Sequence, residues 1–256
     1  MKSSPPTEGT PFIEVRDLRK TIGDQEILRG VTFEVGRGET LVILGASGGG
    51  KSVLLRHILG LMRPDSGLVR VDGQEITGLS ERELFPVRRK IGMLFQDGAL
   101  FDSMTVAENV AFPLRERGLR GEAAIRAKVE AALAMVGLAD HLDKMPVHLS
   151  GGMRKRVALA RAAVTEPTGM LYDEPTAGLD PVASDSINHL IRRLRERLGV
   201  SAIVVTHDLR SAYEVAQRIL FLREGAIHFE GTPDAIRACD DRVVRDFIDG
   251  VSGESA

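Results

Sequence analysis

The chain has 256 residues, of which 43% are hydrophobic, and 34 basic against 36 acidic residues give a formal net charge of −2. This is enough material for one large core, and the near-neutral charge excludes a global attraction to nucleic acid or to an anionic membrane. Cys239 is the single cysteine, which excludes an intramolecular disulfide framework and is typical of a reducing compartment.

Both ends of the chain are predicted to be short disordered tails. Residues 1–11 are rich in Ser, Pro and Thr and lack the apolar stretch of a secretory signal, and we expect a second tail at 251–256. Residues 12–250 contain no internal repeat and no long linker, so we expect one domain. No run in the sequence approaches the roughly 20 apolar residues of a membrane-spanning helix.

The first part of the domain has the pattern of strands followed by a glycine-rich loop. Residues 12–35 are strand-like with glycine turn signals, which predicts an antiparallel β layer. A short apolar strand at 40–44, a loop at 45–50 and a helix at 51–61 follow. We expect one face of that helix to carry Leu54, Leu55, Ile58 and Leu61.

Further strands alternate with helical stretches, which predicts an α/β fold with a mostly parallel sheet. These predicted strands are 68–71, 91–95, 170–172, 202–206 and 219–222. Strand signals are absent from about 101 to 164, where a capping box begins at Thr105, so we expect a helical lobe there. A buried stripe is predicted on one of its helices, formed by Ile125, Val129, Leu133 and Val136.

The glycine-rich loop matches the phosphate-binding pattern G-x-x-x-x-G-K-[ST] in a strand–loop–helix context. Glycines let the backbone wrap around a phosphate chain, and successive N–H groups and the helix N-terminus supply partial positive charge. Lys51 is placed to reach the β- and γ-phosphates, and Ser52 to ligate Mg²⁺. The predicted nucleotide contacts are Gly45, Ala46, Ser47, Gly48, Gly49, Gly50, Lys51, Ser52 and Val53.

Two carboxylates, Asp173 and Glu174, follow a predicted apolar strand, at the edge where open α/β sheets bind ligands. We expect Asp173 to hold Mg²⁺ through its water shell. Glu174 should point elsewhere, because side chains alternate along a strand, and should polarise the attacking water. Alone, such a pair is more often a solvated turn; the phosphate-binding loop favours the catalytic interpretation.

A serine-capped helix start follows at Leu149-Ser-Gly-Gly-Met153, where an anion could approach the glycines, although alone it could be only a capped helix. Together, six ordered features of the sequence resemble the ATP-binding-cassette (ABC) ATPases. They are the phosphate-binding loop, Phe95-Gln96, Leu149-Ser-Gly-Gly152, Asp173-Glu174-Pro-Thr176, Gly178-Leu-Asp180 and Val205-Thr-His-Asp208.

The resemblance covers about 12–248 and implies a P-loop nucleotide-binding domain with an N-terminal antiparallel β subdomain, a mostly parallel core sheet and an α-helical subdomain. It also implies a homodimer with ATP and Mg²⁺ as cofactors. In that head-to-tail dimer, each ATP would lie between one subunit's loop and the other subunit's Ser150, Gly151 and Gly152.

Further roles follow from the same resemblance. Gln96 would contact Mg²⁺ and the attacking water and relay the nucleotide state to a transmembrane partner. Asp180 would lie at the dimer interface. His207 would contact the γ-phosphate, although a histidine after such an apolar strand is, taken alone, more often a core residue. The implied catalytic residues are thus Glu174, His207, Gln96 and Lys51, and the implied metal ligands are Ser52, Gln96 and Asp173.

Three positions depart from the commonest pattern of the family. Ile22 stands where many members stack adenine on an aromatic ring, so base selectivity is expected to be loose. Met153 stands where glutamine is commonest, and Ala46 where proline is frequent. Neither of these two removes a phosphate-contacting group.

Within the family, residues 91–110, the Leu-Ser-Gly-Gly-Met153 variant and the ending at 244–250 resemble the lipid-trafficking importers associated with mammalian-cell-entry proteins. That resemblance implies phospholipid transport at the cytoplasmic face of the bacterial inner membrane. The implied partners are separate permease subunits and a mammalian-cell-entry-type lipid-binding protein, with no nucleic acid.

Other functions stay open at this point. Uptake of amino acids or another polar solute is the main alternative. A soluble cassette acting on ribosomes or DNA is disfavoured, since the chain has neither a second cassette nor a long coiled coil. A scaffold that binds ATP without hydrolysing it is disfavoured because Glu174 and His207 are both present.

Two apolar segments have alternative interpretations. The first, with Leu100, Phe101 and Met104, is either part of the helical lobe's core or a socket for the permease, and we favour the socket. The second is a short helical face near the C-terminus that is either a satellite core, which we favour, or a clasp on the second subunit. Its residues are Val243, Val244, Phe247 and Ile248.

Overall fold

The computed structural model describes residues 9–251, so most of each predicted tail lies outside the described residues. It contains two compact units, one formed by the described residues up to Leu84 and from Ile203 onward, the other by Phe85–Ala202. Along the part of the chain that the structure describes, none of the helices combines the length and apolar character needed to cross a membrane.

The strands and helices alternate along most of the chain. The strands are β1 (Ile13–Ile22), β2 (Gln25–Val35), β3 (Thr40–Leu44), β4 (Ser66–Val71), β5 (Gln74–Glu75), β6 (Ile91–Leu94), β7 (Gly169–Asp173), β8 (Ser201–Thr206), β9 (Arg218–Arg223) and β10 (Ala226–Gly231). The helices are α1 (Lys51–Ile58), α2 (Glu81–Arg88), α3 (Val106–Glu116), α4 (Glu122–Met135), α5 (Gly151–Ala163), α6 (Pro181–Leu198), α7 (Leu209–Val215), α8 (Pro233–Arg237) and α9 (Arg242–Ile248).

The first unit contains the predicted antiparallel layer, a sheet in the order β2-β1-β4-β5. Strand β1 pairs antiparallel with β2 and β4. The inclusion of β4 corrects the sequence prediction, which placed 68–71 in the parallel sheet. Its burial alternates, with Val69 and Val71 buried and Arg70 half-exposed beside Glu14, as an antiparallel strand with one solvated face requires.

The other strands of this unit lie in the order β10-β9-β3-β8. Strand β3 is entirely buried and pairs in parallel with β9, while β10 pairs antiparallel with β9. The sequence of a buried parallel strand is a continuous apolar run, which is why the strand at 41–44 could be predicted from the sequence. The glycine-rich loop leaves β3 and leads into α1.

Helix α1 is shorter than predicted. It ends at Ile58, and Leu59 caps it before Gly60 adopts a φ of 64°. Leu54, Leu55 and Ile58 are buried as expected, but Leu61 lies beyond the helix and is 55% exposed. The prediction that Leu61 shares the buried face is therefore wrong, because the glycine ends the helix first.

The second unit contains the parallel pair β6 and β7 and helices α3 to α6. As predicted, Thr105 caps α3 in a capping box with Glu108. The predicted stripe on α4 is confirmed, with Ile125, Val129, Leu133 and Val136 all buried. Helix α5 contacts both α3 and α4 and presents an apolar face to them.

The C-terminal helix α9 packs on its own chain. Val244 is fully buried, and the rings of Phe247 and Phe221 lie 4.7 Å apart between centroids. Asp241 caps the helix and also contacts His228. These contacts support the satellite-core interpretation of this segment.

Candidate active site

The phosphate-binding loop of the first unit is held partly by its own lysine. Lys51 is buried, and its Nζ donates hydrogen bonds to the carbonyl oxygens of Gly45 (2.7 Å) and Ala46 (3.0 Å). Ser47 and Ala46 are exposed, and Ser52 is half-buried in the first turn of α1. The loop therefore presents its backbone at a helix N-terminus, the geometry that binds phosphate.

Two of the loop's glycines are required by close contacts. A Cβ on Gly45 would lie 2.4 Å from the carbonyl oxygen of Leu222. Gly50, which precedes α1, has a φ of 94°, and a Cβ there would lie 3.0 Å from the carbonyl oxygen of Ile27. A side chain at either position would push the loop away from the strands that support it.

A cavity of about 760 Å³ adjoins the loop within the first unit. Its walls include the loop residues Ala46 to Gly49, Gln25 at the start of β2, and Arg242 and Phe247 of α9. Its volume falls in the range of small-molecule and cofactor sites. The loop is thus accessible to a nucleotide from a lined concave surface.

His207 also belongs to the first unit. It follows β8, whose residues are all buried, and its side chain is exposed. Asp208, next in the chain, caps α7 by accepting a hydrogen bond from the N–H of Arg210. His207 is therefore not a buried core histidine, which favours the phosphate-contacting role.

The two adjacent carboxylates lie in the second unit. Asp173 is the last residue of β7 and is half-buried, whereas Glu174 is buried just beyond the strand. Glu174 has a φ of 46°, in the left-handed region. The chain therefore leaves the extended strand conformation at Glu174, and the difference in direction between the two side chains stays a prediction.

Lys155 was missed by sequence reasoning. It lies on α5, is buried, and donates hydrogen bonds from Nζ to the carbonyl oxygens of Gln96 and, at 3.2 Å, of Glu174. Gln96 itself is exposed. The structure thus brings the backbones of two predicted catalytic residues to one side chain. The sequence did contain a signal that Lys155 is buried, because Ala158 and Leu159 lie three and four positions after it, on the same face of the helix.

The serine-capped start of α5 is confirmed. Ser150 Oγ accepts a hydrogen bond from the N–H of Met153 at 3.3 Å, and Gly151 and Gly152 form the first turn. Asp180, predicted at a dimer interface, is the N-cap of α6. Ser150 and Asp180 are both exposed, so both helix starts are accessible to a partner.

Known proteins with similar sequences are ABC transport proteins. The family described as "ABC transporter" matches residues 28–177. A probable ribonucleotide transport ATP-binding protein of Mycobacterium bovis is 42% identical over 247 residues, covering 95% of this chain and 69% of that protein. A methionine import ATP-binding protein of Brucella abortus is 40% identical, covering 89% and 61%. The chain thus spans about two thirds of these relatives.

Solved structures that resemble this chain belong to the same class of protein as these relatives. A dimeric ATP-binding cassette with ADP and Pi bound superposes with a TM-score of 0.80 at 34% identity, covering 86% of this chain and 98% of that one. The cbiO1 protein of Clostridium perfringens, part of the transporter complex cbiONQ, gives a TM-score of 0.83 at 33% identity, covering 92% and 94%. The chain therefore belongs to the ABC transporter family, as an ATP-binding and ATP-hydrolysing subunit with that family's α/β fold.

Proposed function

We propose that this subunit powers phospholipid trafficking between bacterial membranes from the cytoplasmic face of the inner membrane. It would act as a homodimer bound to separate permease subunits and a mammalian-cell-entry-type lipid-binding protein. The observation that carries the proposal is the sequence of residues 91–110, which contains Gln96 and resembles the lipid-trafficking subgroup.

The contacts of this segment are compatible with partner binding. Phe95 and Phe101 are 42% and 41% exposed, so two aromatic side chains of this segment are available to a partner. Arg161 donates hydrogen bonds to the carbonyl oxygens of Gly98 and Ala99 and lies over the Phe101 ring. A rigid, partly apolar surface of this kind suits a permease helix.

The main alternative is import of a polar solute. The Brucella relative is named for methionine import, and the Mycobacterium relative for ribonucleotide transport. The two relatives are 40% and 42% identical to this chain, so identity does not choose between their cargoes. The ATPase mechanism below is the same under either cargo.

For catalysis, we propose that the loop from Gly45 to Val53 holds the phosphates and Lys51 neutralises the β- and γ-phosphates. Ser52, Gln96 and Asp173 offer hydroxyl, amide and carboxylate oxygens, which are the donors that Mg²⁺ prefers. Magnesium would neutralise charge that develops on the phosphates.

The remaining residues would act on the water and on the second subunit. Glu174 polarises the attacking water and His207 contacts the γ-phosphate. Ser150, Gly151 and Gly152 of the second copy close over that phosphate, so that ATP closes the dimer and hydrolysis reopens it.

Cargo can be tested by purifying the tagged protein from its native membrane in mild detergent and identifying the co-purifying chains and lipid. A permease, a mammalian-cell-entry-type protein and bound phospholipid are the expected result. A permease with a polar-solute-binding protein would replace the cargo and leave the ATPase mechanism in place. A mock purification from membranes that lack the tagged protein, processed in parallel, controls for lipid carried by the detergent alone.

The role of Glu174 gives a direct prediction. Glu174→Gln keeps the shape of the side chain but removes the base, so we expect ATP binding within twofold of wild type and at least a hundredfold loss of turnover. Steady-state phosphate release and binding of a fluorescent ATP analogue measure the two quantities. Turnover within threefold of wild type would contradict the assigned role.

A further inference from the structure

Lys155 is the one charged side chain among the buried residues of α5. Lys155 is 6% exposed, and its neighbours on α5 include the buried Val157, Ala158 and Leu159. Removing an ammonium group from water is costly unless hydrogen bonds and charges compensate for it. Such a group therefore has a specific set of partners, and those partners indicate what the residue does.

Its two hydrogen-bond acceptors come from distant parts of the sequence. Nζ donates to the carbonyl oxygens of Gln96 and Glu174, which lie 59 and 19 positions away from it. These are main-chain groups of the residues to which we assign Mg²⁺ binding, Gln96, and activation of the attacking water, Glu174. One ammonium group thus joins the segment after β6 to the segment after β7, and joins both to the helix that Ser150 begins.

The Glu174 segment needs this support. Glu174 has a φ of 46°, which is uncommon for a residue other than glycine and costs free energy. Its carbonyl oxygen also accepts a hydrogen bond from the N–H of Ala177 at 3.2 Å. Two donors therefore fix the orientation of this peptide, and the direction of the Glu174 side chain follows from that orientation.

The Gln96 segment is held at its other end by the same helix. Arg161 donates hydrogen bonds, both 2.8 Å long, to the carbonyl oxygens of Gly98 and Ala99. Lys155 and Arg161 therefore fix residues 96–99 to α5 as one rigid piece of the second unit. Without Lys155, the carbonyl oxygen of Gln96 would lose this donor, while the hydrogen bonds of Arg161 and the one from Gly98 N–H to the Phe95 carbonyl oxygen would remain.

The surrounding charges match the cation. Burial lowers the pKa of Lys155, while the carboxylates of Asp97, Glu174 and Asp173 act in the opposite direction. The ammonium group is therefore electrostatically paired with the same acidic segments whose backbone it contacts.

We propose that Lys155 is a positioning residue for ATP hydrolysis, which fixes the backbone of Gln96 and of Glu174 in a single geometry. The inference rests on the function proposed above for those two side chains. Lys155 acts through them and does not itself bind nucleotide. Its loss lowers the rate of the chemical step and leaves ATP binding in place.

The test compares Lys155→Met, which keeps the aliphatic length and removes every donor, with Lys155→Gln, which keeps an amide donor on a shorter chain. We expect Lys155→Met to lower kcat at least tenfold, with KM and the Kd for ATP within threefold of wild type. Lys155→Gln should retain more of kcat than Lys155→Met. A purely structural role would weaken ATP binding together with kcat.

Arg156→Met is the matched control. It removes a cation from the next position of α5, where the guanidinium donates to Ser186 Oγ at 2.8 Å, and we expect a kcat within twofold of wild type. Thermal unfolding of every variant shows whether it is folded. If Lys155→Met does not fold, the comparison between Lys155→Gln and Arg156→Met decides the question.

The outcomes separate this inference from the function on which it rests. Glu174→Gln is measured in the same series. If it retains turnover, the proposed role of Glu174 fails, whatever Lys155→Met does. If Glu174→Gln is inactive and the folded Lys155 variants keep kcat within twofold, the positioning role is wrong. A parallel loss of kcat, ATP binding and thermal stability would also overturn it, in favour of a structural role.

Discussion

His57 shows how burial at one residue gives the fold a pH dependence. It lies in α1, is 2% exposed, and its Nδ1 is 2.8 Å from the carbonyl oxygen of Val53. Burial lowers its pKa below the ordinary 6.5, and the positive charge of Lys20 acts in the same direction, against Asp65. The folded state therefore resists protonation of this ring more than the unfolded state does.

This difference predicts a loss of stability in acid. Above pH 6.5 both states carry a neutral His57, and the free energy of unfolding has its full value. As the pH falls below 6.5 toward the lowered folded pKa, the unfolded state binds more protons, so stability falls by at most about 1.4 kcal/mol per pH unit from this group. Urea unfolding at pH 7.5 and 5.5 should show a smaller difference for His57→Phe than for wild type.

The exposed His148 offers the control, since His148→Phe removes a histidine without changing a buried site. An unchanged pH difference in His57→Phe, equal to that of His148→Phe and wild type, would show that another group is responsible.

At the proposed catalytic residues, the sequence indicates chemistry but not conformation. The roles proposed for Lys51 and Glu174 rest on their motifs, and the role proposed for His207 rests on the family resemblance. The left-handed backbone of Glu174 and the buried contacts of Lys155 depend on chain segments far apart in sequence. No local pattern carries that information.

Asn109 of α3 ties the loop before that helix to the helix itself. It is fully buried, its Oδ1 accepts a hydrogen bond from the N–H of Phe101, and its Nδ2 donates toward the carbonyl oxygens of Phe101, Met104 and Thr105. One side chain thus satisfies polar backbone groups of residues 101, 104 and 105, at the end of the loop. The segment that presents Phe101 to solvent is fixed in this way.

Asn109→Ala should therefore destabilise the second unit. It leaves buried donors and acceptors unsatisfied, and we expect about 3 kcal/mol less free energy of unfolding. The exposed Ser103, in the same loop, gives the control Ser103→Ala, which should stay within about 0.5 kcal/mol of wild type. Equilibrium unfolding in urea measures both. A change below about 1 kcal/mol for Asn109→Ala would mean that water replaces the lost contacts.

Prediction of the secondary-structure elements was good where the pattern was strong and failed where it was ambiguous. The buried run of β3 and the stripe of α4 were recognisable. Strand β10 was not predicted from the sequence. In the structure it follows a tight turn in which Glu224 and Gly225 both have positive φ, as a two-residue hairpin requires. Strand β4 was assigned to the wrong sheet, because it lies with the two-residue strand β5 between helices α1 and α2, while its partner β1 begins the domain.

For the whole molecule, the proposed dimer requires contributions from two copies. Each copy carries a phosphate-binding loop in its first unit and a serine-capped helix start in its second unit. The cassette solved with ADP and Pi is dimeric. If Ser150 of one copy closes over the ATP of the other, the helix start must serve as N-cap and as phosphate ligand at once.

The variant Ser150→Asp separates those two roles. Aspartate is as good an N-cap as serine, so α5 should stay intact, but its charge would oppose the γ-phosphate held by the other copy. In the Glu174→Gln background with ATP and Mg²⁺, we expect the parent to form a stable dimer and Ser150→Asp to weaken dimerisation at least tenfold. ATP binding by the monomer should stay within twofold, because the phosphate-binding loop is untouched.

Thr105→Asp is the matched control, since Thr105 is the N-cap of α3 in the same unit and has no proposed contact with nucleotide. Light scattering coupled to size-exclusion chromatography measures the dimer, and a fluorescent ATP analogue measures binding. A Ser150→Asp variant that dimerises as readily as its parent would show that ATP is not enclosed by this helix start. The closing of two copies over ATP would then have to involve another surface, because the cap, the fold and the phosphate-binding loop would all be unchanged.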